Sequence, residues 1–125
     1  MNTNEFALEF KVLRTSLMNE YFKNDSSFVS KKIKMLNLNY ETNTILKEIL
    51  NTAITDALYT VLLGLDGCAQ IGKKQNNYIV SDEDGNIVAG NGIIEEFAYK
   101  HLQIDDKECA QKVDAPEPDD RTGDL

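Results

Sequence analysis

Glu41–Gly72 reads ETNTILKEILNTAITDALYTVLLGLDGCAQIG, and this stretch decides the fold. Ile45, Leu46, Ile49, Leu50, Ile54, Leu58, Val61, Leu62 and Leu65, with Ala53 and Ala57, recur in pairs four residues apart. On a helix of 3.6 residues per turn that spacing gathers them into one apolar stripe. Burying each large side chain contributes about 1.5–3 kcal/mol before entropy. The stretch is therefore expected to be the spine of the core, with Thr42 as its cap. Gly64, Gly67 and Gly72 punctuate its exit, where a left-handed glycine at Gly64 or Gly67 stops the helix and a tight connector follows.

Upstream, Phe6, Phe10, Leu13, Leu17 and Tyr21 step by four, three, four and four, which predicts a first helix over Thr3–Lys23 with those residues inward. Asn2 or Thr3 caps it, and Glu5 lies in the first turn, where the helix dipole favours an anion. Asn24-Asp25-Ser26-Ser27 ends the pattern. Between Phe28 and Tyr40, Val29, Ile33 and Leu36 suit a short helix capped by Ser26 or Ser27, whereas Leu36, Leu38 and Tyr40 alternate as a strand does. A short helix followed by an extended link is the favoured reading. Lys31, Lys32 and Lys34 make a basic spot there.

Downstream of Gly72 the period changes. Asn77–Ser81 and Asn86–Ala89 are short β-rich runs around Asp82-Glu83-Asp84-Gly85, a hairpin signal with Gly85 at the left-handed position. Gly90-Asn91-Gly92 turns the chain into a last helix over Ile93–Gln103, with Ile94, Phe97, Ala98, His101 and Leu102 inward. The expected fold is α+β: a helical core of two long helices, a β-hairpin and a C-terminal helix, in one domain over residues 1–104. From Asp105 the periodicity stops, and residues 105–125 have the composition of an acidic, solvated tail.

Charge is placed unevenly. The 125-residue chain has a net charge of −8. Residues 1–74 hold eight acids and nine Lys/Arg; residues 75–125 hold thirteen acids and four Lys/Arg. Binding nucleic acid through a broad basic face is disfavoured, and a basic partner or plain solubility fits better. No apolar run approaches the roughly 18 residues of a membrane span. The start, MNTNEFALEFK, has no basic n-region followed by an apolar run, so a cytosolic chain with free thiols at Cys68 and Cys109 is expected.

The candidate chemistry is sparse. Asp82-Glu83-Asp84-Gly85-Asn86 set against a calcium loop puts Val80 in the first ligand position and Asn91 in the last, so both ends fail. Gly64–Gly72 is not a phosphate loop, because it lacks the Gly-Lys-Ser/Thr ending and follows a helix. Cys68 with His101 is the available nucleophile–base pair, and Asp66 is a candidate to orient it. A buried packing cysteine and a core-facing histidine are the commoner outcome. A lone histidine excludes a multi-histidine metal site, and neither a metal nor a cofactor is expected. Asp82, Glu83, Asp84, Glu95 and Glu96 are the remaining candidates. They cluster around one hairpin and the next helix start, against Lys100 alone, and form an acidic patch suited to a basic protein.

Thr55–Gly67, TDALYTVLLGLDG, with Tyr78, Asp82–Asn86 and Phe97-Ala98-Tyr99, resembles a group of small bacterial cytosolic proteins over residues 53–102. The resemblance carries no activity with it. In size, acidity and helix-plus-hairpin make-up the chain is also similar to bacterial immunity proteins, which block a toxin by masking its active surface. That likeness implies a partner class and assigns no residue. The expected function is thus a non-enzymatic, immunity-type or inhibitor protein that occludes a basic surface of a partner. The alternative is a small-ligand binder or cysteine-dependent enzyme built on the Gly64–Gly72 connector, and a third is a subunit that adds a strand at the hairpin edge.

Overall fold

The computed structural model describes residues 1–104; the 105–125 segment, expected as an acidic tail, lies outside the described residues. Helices dominate an α+β chain: α1 Thr3–Lys23, α2 Phe28–Leu36, α3 Tyr40–Leu65, strands β1 Val80–Ser81 and β2 Ile87–Ala89, and α4 Ile94–Tyr99, which continues as a π-helical turn over Lys100–Ile104. Among the described residues no helix is long and apolar enough to cross a membrane.

The starts of α1, α2 and α3 each have a local cause. Asn2 and Glu5 form a capping box, the Asn2 side chain accepting the Glu5 N–H at 2.8 Å while Glu5 accepts the Asn2 N–H at 2.8 Å. Ser27 and Ser30 do the same for α2. That helix stops at Asn37, which adopts φ 50° and donates its N–H to the Lys34 carbonyl. The strand alternative for this segment is not adopted. α3 begins three residues earlier than a Thr42 cap allows: Asn39 is the cap, and its side chain accepts the Thr42 N–H at 2.9 Å.

The core lies where the N-terminal half of α1, the C-terminal half of α3, β2 and α4 meet. Ala7, Leu62, Ala89, Ile94, Ala98 and Leu102 are buried there, with Phe6, Phe10, Leu58, Tyr59, Leu65, Val80 and Phe97 packed around them. Phe6 and Phe10 meet edge to face, their ring centres 5.2 Å apart. The face of α1 differs from the one its leucines predict. Thr3, Ala7 and Arg14 are buried, whereas Leu13 is 45% exposed. The reason is angular: Leu13 lies about 100° around the helix from Arg14. α3 departs further. Its C-terminal half is the expected spine, but Ile45 is 53% exposed, Ile49 is 57% exposed, and Ala53 and Ala57 also face out.

The β-sheet is shorter than its sequence signal. Val80 pairs with Ala89 and Ser81 with Ile87, antiparallel, with a bulge between Val80 and Ser81. Asn77–Ile79, expected as part of the first strand, lies outside it. Gly85 adopts φ +86° in the turn, where the left-handed region favours glycine. The last helix keeps its predicted inner face, with Ile94, Ala98, His101 and Leu102 buried and Phe97 half-buried.

Candidate interaction surface

Asp66 ties the connector, the hairpin exit and α4 into one unit. It sits at the C-terminal cap of α3. Its Oδ1 accepts the N–H of Gly90 at 2.7 Å and of Gly92 at 3.0 Å, and its Oδ2 accepts the N–H of Ile94 at 3.1 Å. Ile93, the N-cap residue of α4, supplies no capping side chain. A carboxylate from the end of another helix therefore satisfies one of the donors that a helix start leaves open, and two more in the turn before it. Gly90 and Gly92 reach it at φ +92° and +84°.

Asp82 organises the hairpin tip in the same way. Oδ1 accepts the N–H of Asp84 at 3.0 Å and of Asn86 at 2.9 Å, and Oδ2 accepts from the Asn86 side chain at 3.1 Å. The amino group of Met1 lies 3.0 Å from Oδ2. These bonds, the Asn86 side chain foremost and then the Met1 amine, hold the Asp82 carboxyl well below the usual carboxylate range.

Of the five acids singled out from sequence, Asp82 is thus engaged by its own chain. Glu83 and Asp84 are exposed at the tip, and Glu95 and Glu96 are exposed in the first turn of α4. The ion pairs between described residues are Met1–Asp82 and Lys34–Asp25. Glu95 lies near Tyr59 of α3: burial pushes the Tyr59 phenol above its ordinary value, and the charge of Glu95 adds to the rise.

The alternative pair is differently employed. Cys68 is exposed rather than packed inside, and its thiol points toward the Asp66 carbonyl at 3.9 Å. His101 is buried, with Nε2 2.7 Å from Oδ1 of Asn4. Asp66, the candidate orienting group, is the helix cap described above. Gly64 is buried in α3, where an added Cβ would lie 2.3 Å from Cγ1 of Ile71, so its small size serves helix–connector packing. Clefts of about 420 and 320 Å³ lie between the end of α1 and α2 instead, lined in part by Phe22, Asn24 and Lys34. Among the described residues no group of three or more His, Cys, Asp or Glu is placed to hold a metal ion.

Arg14 escaped the sequence reading altogether. It is 2% exposed, donates from Nη1 to the Thr55 hydroxyl, and donates to the Leu102 carbonyl at 3.2 Å. The Thr55 hydroxyl in turn donates to the Asn51 carbonyl at 2.8 Å. This joins α1, α3 and the π-helical turn through one guanidinium. Its signal in the sequence was position: Thr3, Ala7 and Arg14 share one helix face.

Comparison with protein-family models, with curated proteins and with solved structures finds no match.

Proposed function

We propose that this chain is a non-enzymatic, cytosolic acidic binding protein of the immunity or inhibitor kind, covering a basic surface of a partner protein. The observation that supports this reading is the pairing of two exposed acidic elements on a braced frame. Glu83 and Asp84 project from a tip tied by Asp82, and Glu95 and Glu96 from a helix start tied by Asp66. A braced backbone loses little freedom on docking, and exposed negative charge speeds encounter with a positive cleft. Occlusion needs no reaction, so the mechanism places its demand on shape and charge.

The test is capture from cells of the source organism on the immobilised 125-residue protein, with a quadruple variant, Glu83→Lys, Asp84→Lys, Glu95→Lys and Glu96→Lys, as the matched control. A basic protein retained by the native chain and released by the variant supports the reading. Retention of the same proteins by both, or retention of acidic proteins, removes it.

A further inference from the structure

Ile45, Glu48, Ile49, Thr52, Asp56 and Tyr59 fall within about 100° of arc on α3, at 100° per residue. Apart from half-buried Tyr59, all are exposed. α3 packs against α4, the charge of Glu95 reaches the Tyr59 phenol, and Tyr99 is itself 47% exposed. The result is a surface of alternating character: Ile45, Ile49 and Tyr99 as apolar and aromatic anchors, Glu48, Asp56 and Glu95 as carboxylates between them. No Lys or Arg lies on that arc. Lys47 projects from a different side of α3, its ammonium 5.5 Å over the Phe22 ring.

We propose that this outward face of α3 and α4 is a docking surface for a basic amphipathic helix of a partner protein. The inference rests on the binding reading above and extends it to a second, anchoring surface. From Ile45 to Tyr59 the face runs about 21 Å, the length of roughly 14 helical residues. Apolar residues at helical spacing on the partner meet Ile45, Ile49 and Tyr99, while flanking Lys or Arg residues meet the carboxylates. Charge selects this occupant over the two that the chain itself offers. A second copy pairing face to face brings Glu48, Asp56 and Glu95 toward one another. Residues 105–125, with eight acids against three bases, carry the same sign as the face.

The probe is a synthetic 14-residue helical peptide with leucines on one face and lysines flanking them, and a twin with glutamate at every lysine. Each is titrated into the isotopically labelled full chain and followed by backbone amide shifts. The lysine peptide binds at least tenfold more tightly than its twin, and shifts centre on Glu48, Ile49, Asp56 and Tyr99. Ile49→Lys weakens it at least tenfold, and Tyr99→Ala gives an independent reading should Ile49→Lys fail to fold. Phe28→Lys, on α2 and 75% exposed, changes nothing. Equal binding of the twins, or an Ile49-dependent dimer in sedimentation, overturns the inference. So do shifts confined to residues 82–86 and 95–96, an outcome that leaves the acidic-tip reading standing.

Discussion

Asp66 and Ile94 are 28 residues apart in sequence and joined by a hydrogen bond of 3.1 Å from the Ile94 N–H to the Asp66 carboxylate. Through this bond the C-cap residue of one helix caps the first turn of another. Asp66→Ala leaves three backbone donors without their acceptor. An orphaned buried donor costs about 1–3 kcal/mol, and water relieves the two exposed glycines. The expected loss is about 2–3 kcal/mol in urea unfolding with the slope unchanged. Asp66→Asn, which keeps one acceptor oxygen, loses less.

Gly90 and Gly85 both adopt positive φ, yet they differ in surroundings. A Cβ on Gly90 would lie 2.0 Å from the Tyr78 carbonyl oxygen, whereas a Cβ on Gly85 meets nothing within 4 Å. Gly85→Ala bears only the left-handed backbone penalty of about 1–2 kcal/mol. Gly90→Ala adds a backbone clash, so its melting midpoint falls further than that of Gly85→Ala. Equal midpoints contradict this account of the turn.

Arg14 is expected to matter out of proportion to its chemistry. Arg14→Ala leaves a void among α1, α3 and the π-helical turn and deprives the Thr55 hydroxyl and Leu102 carbonyl of a donor; large-to-small truncation of a buried side chain costs about 2–5 kcal/mol. Arg14→Met, which keeps volume and removes charge, costs less. Calorimetry of the two variants separates packing from hydrogen bonding.

Asp82 sets an acid dependence. Its carboxyl titrates lower in the folded chain than its ordinary value of 3.8, so folding favours the ionised form. That contribution is fully present above about pH 4 and is lost as pH falls toward the folded value. Asp82→Asn is therefore less stable than the native chain at pH 6, and the gap narrows steadily below pH 4. A gap that widens on acidification contradicts the bonding at the tip.

How much of this was legible in the residues differs by element. The ends of α1 were readable, because Asn2 and Glu5 mark a cap locally. Its inner face was only partly readable: Phe6 and Phe10 pack around the core as expected, but Leu13 faces out, and the fully buried Thr3, Ala7 and Arg14 are small or charged and gave no apolar signal. On α3 the pairs four residues apart were read as one buried stripe, but Ile45 and Ile49 lie beyond the core and stay exposed. An apolar residue is no guarantee of an interior one. The acids at the tip were visible as charge, while their division into bracing Asp82 and free-standing Glu83 and Asp84 depended on backbone donors that a sequence does not display. Asp66 was hardest, since its partners lie 24 to 28 residues away. One hint existed: Ile93, the N-cap residue of α4, has no capping side chain, so the cap had to come from elsewhere.

Cys68→Ala separates the binding reading from a thiol-dependent activity. The exposed thiol is expected to react readily with an alkylating reagent in the folded protein, and both alkylation and the substitution are expected to leave partner capture unchanged.

The central claim is that exposed carboxylates at the hairpin tip and α4 start steer the chain onto a basic partner. The association rate with the captured protein, measured from about 20 to 500 mM salt for the native chain and the quadruple lysine variant, tests it most directly. The account predicts a native rate that falls steeply with salt and a slow variant rate whose salt response is flat or reversed. Two coincident curves would contradict it.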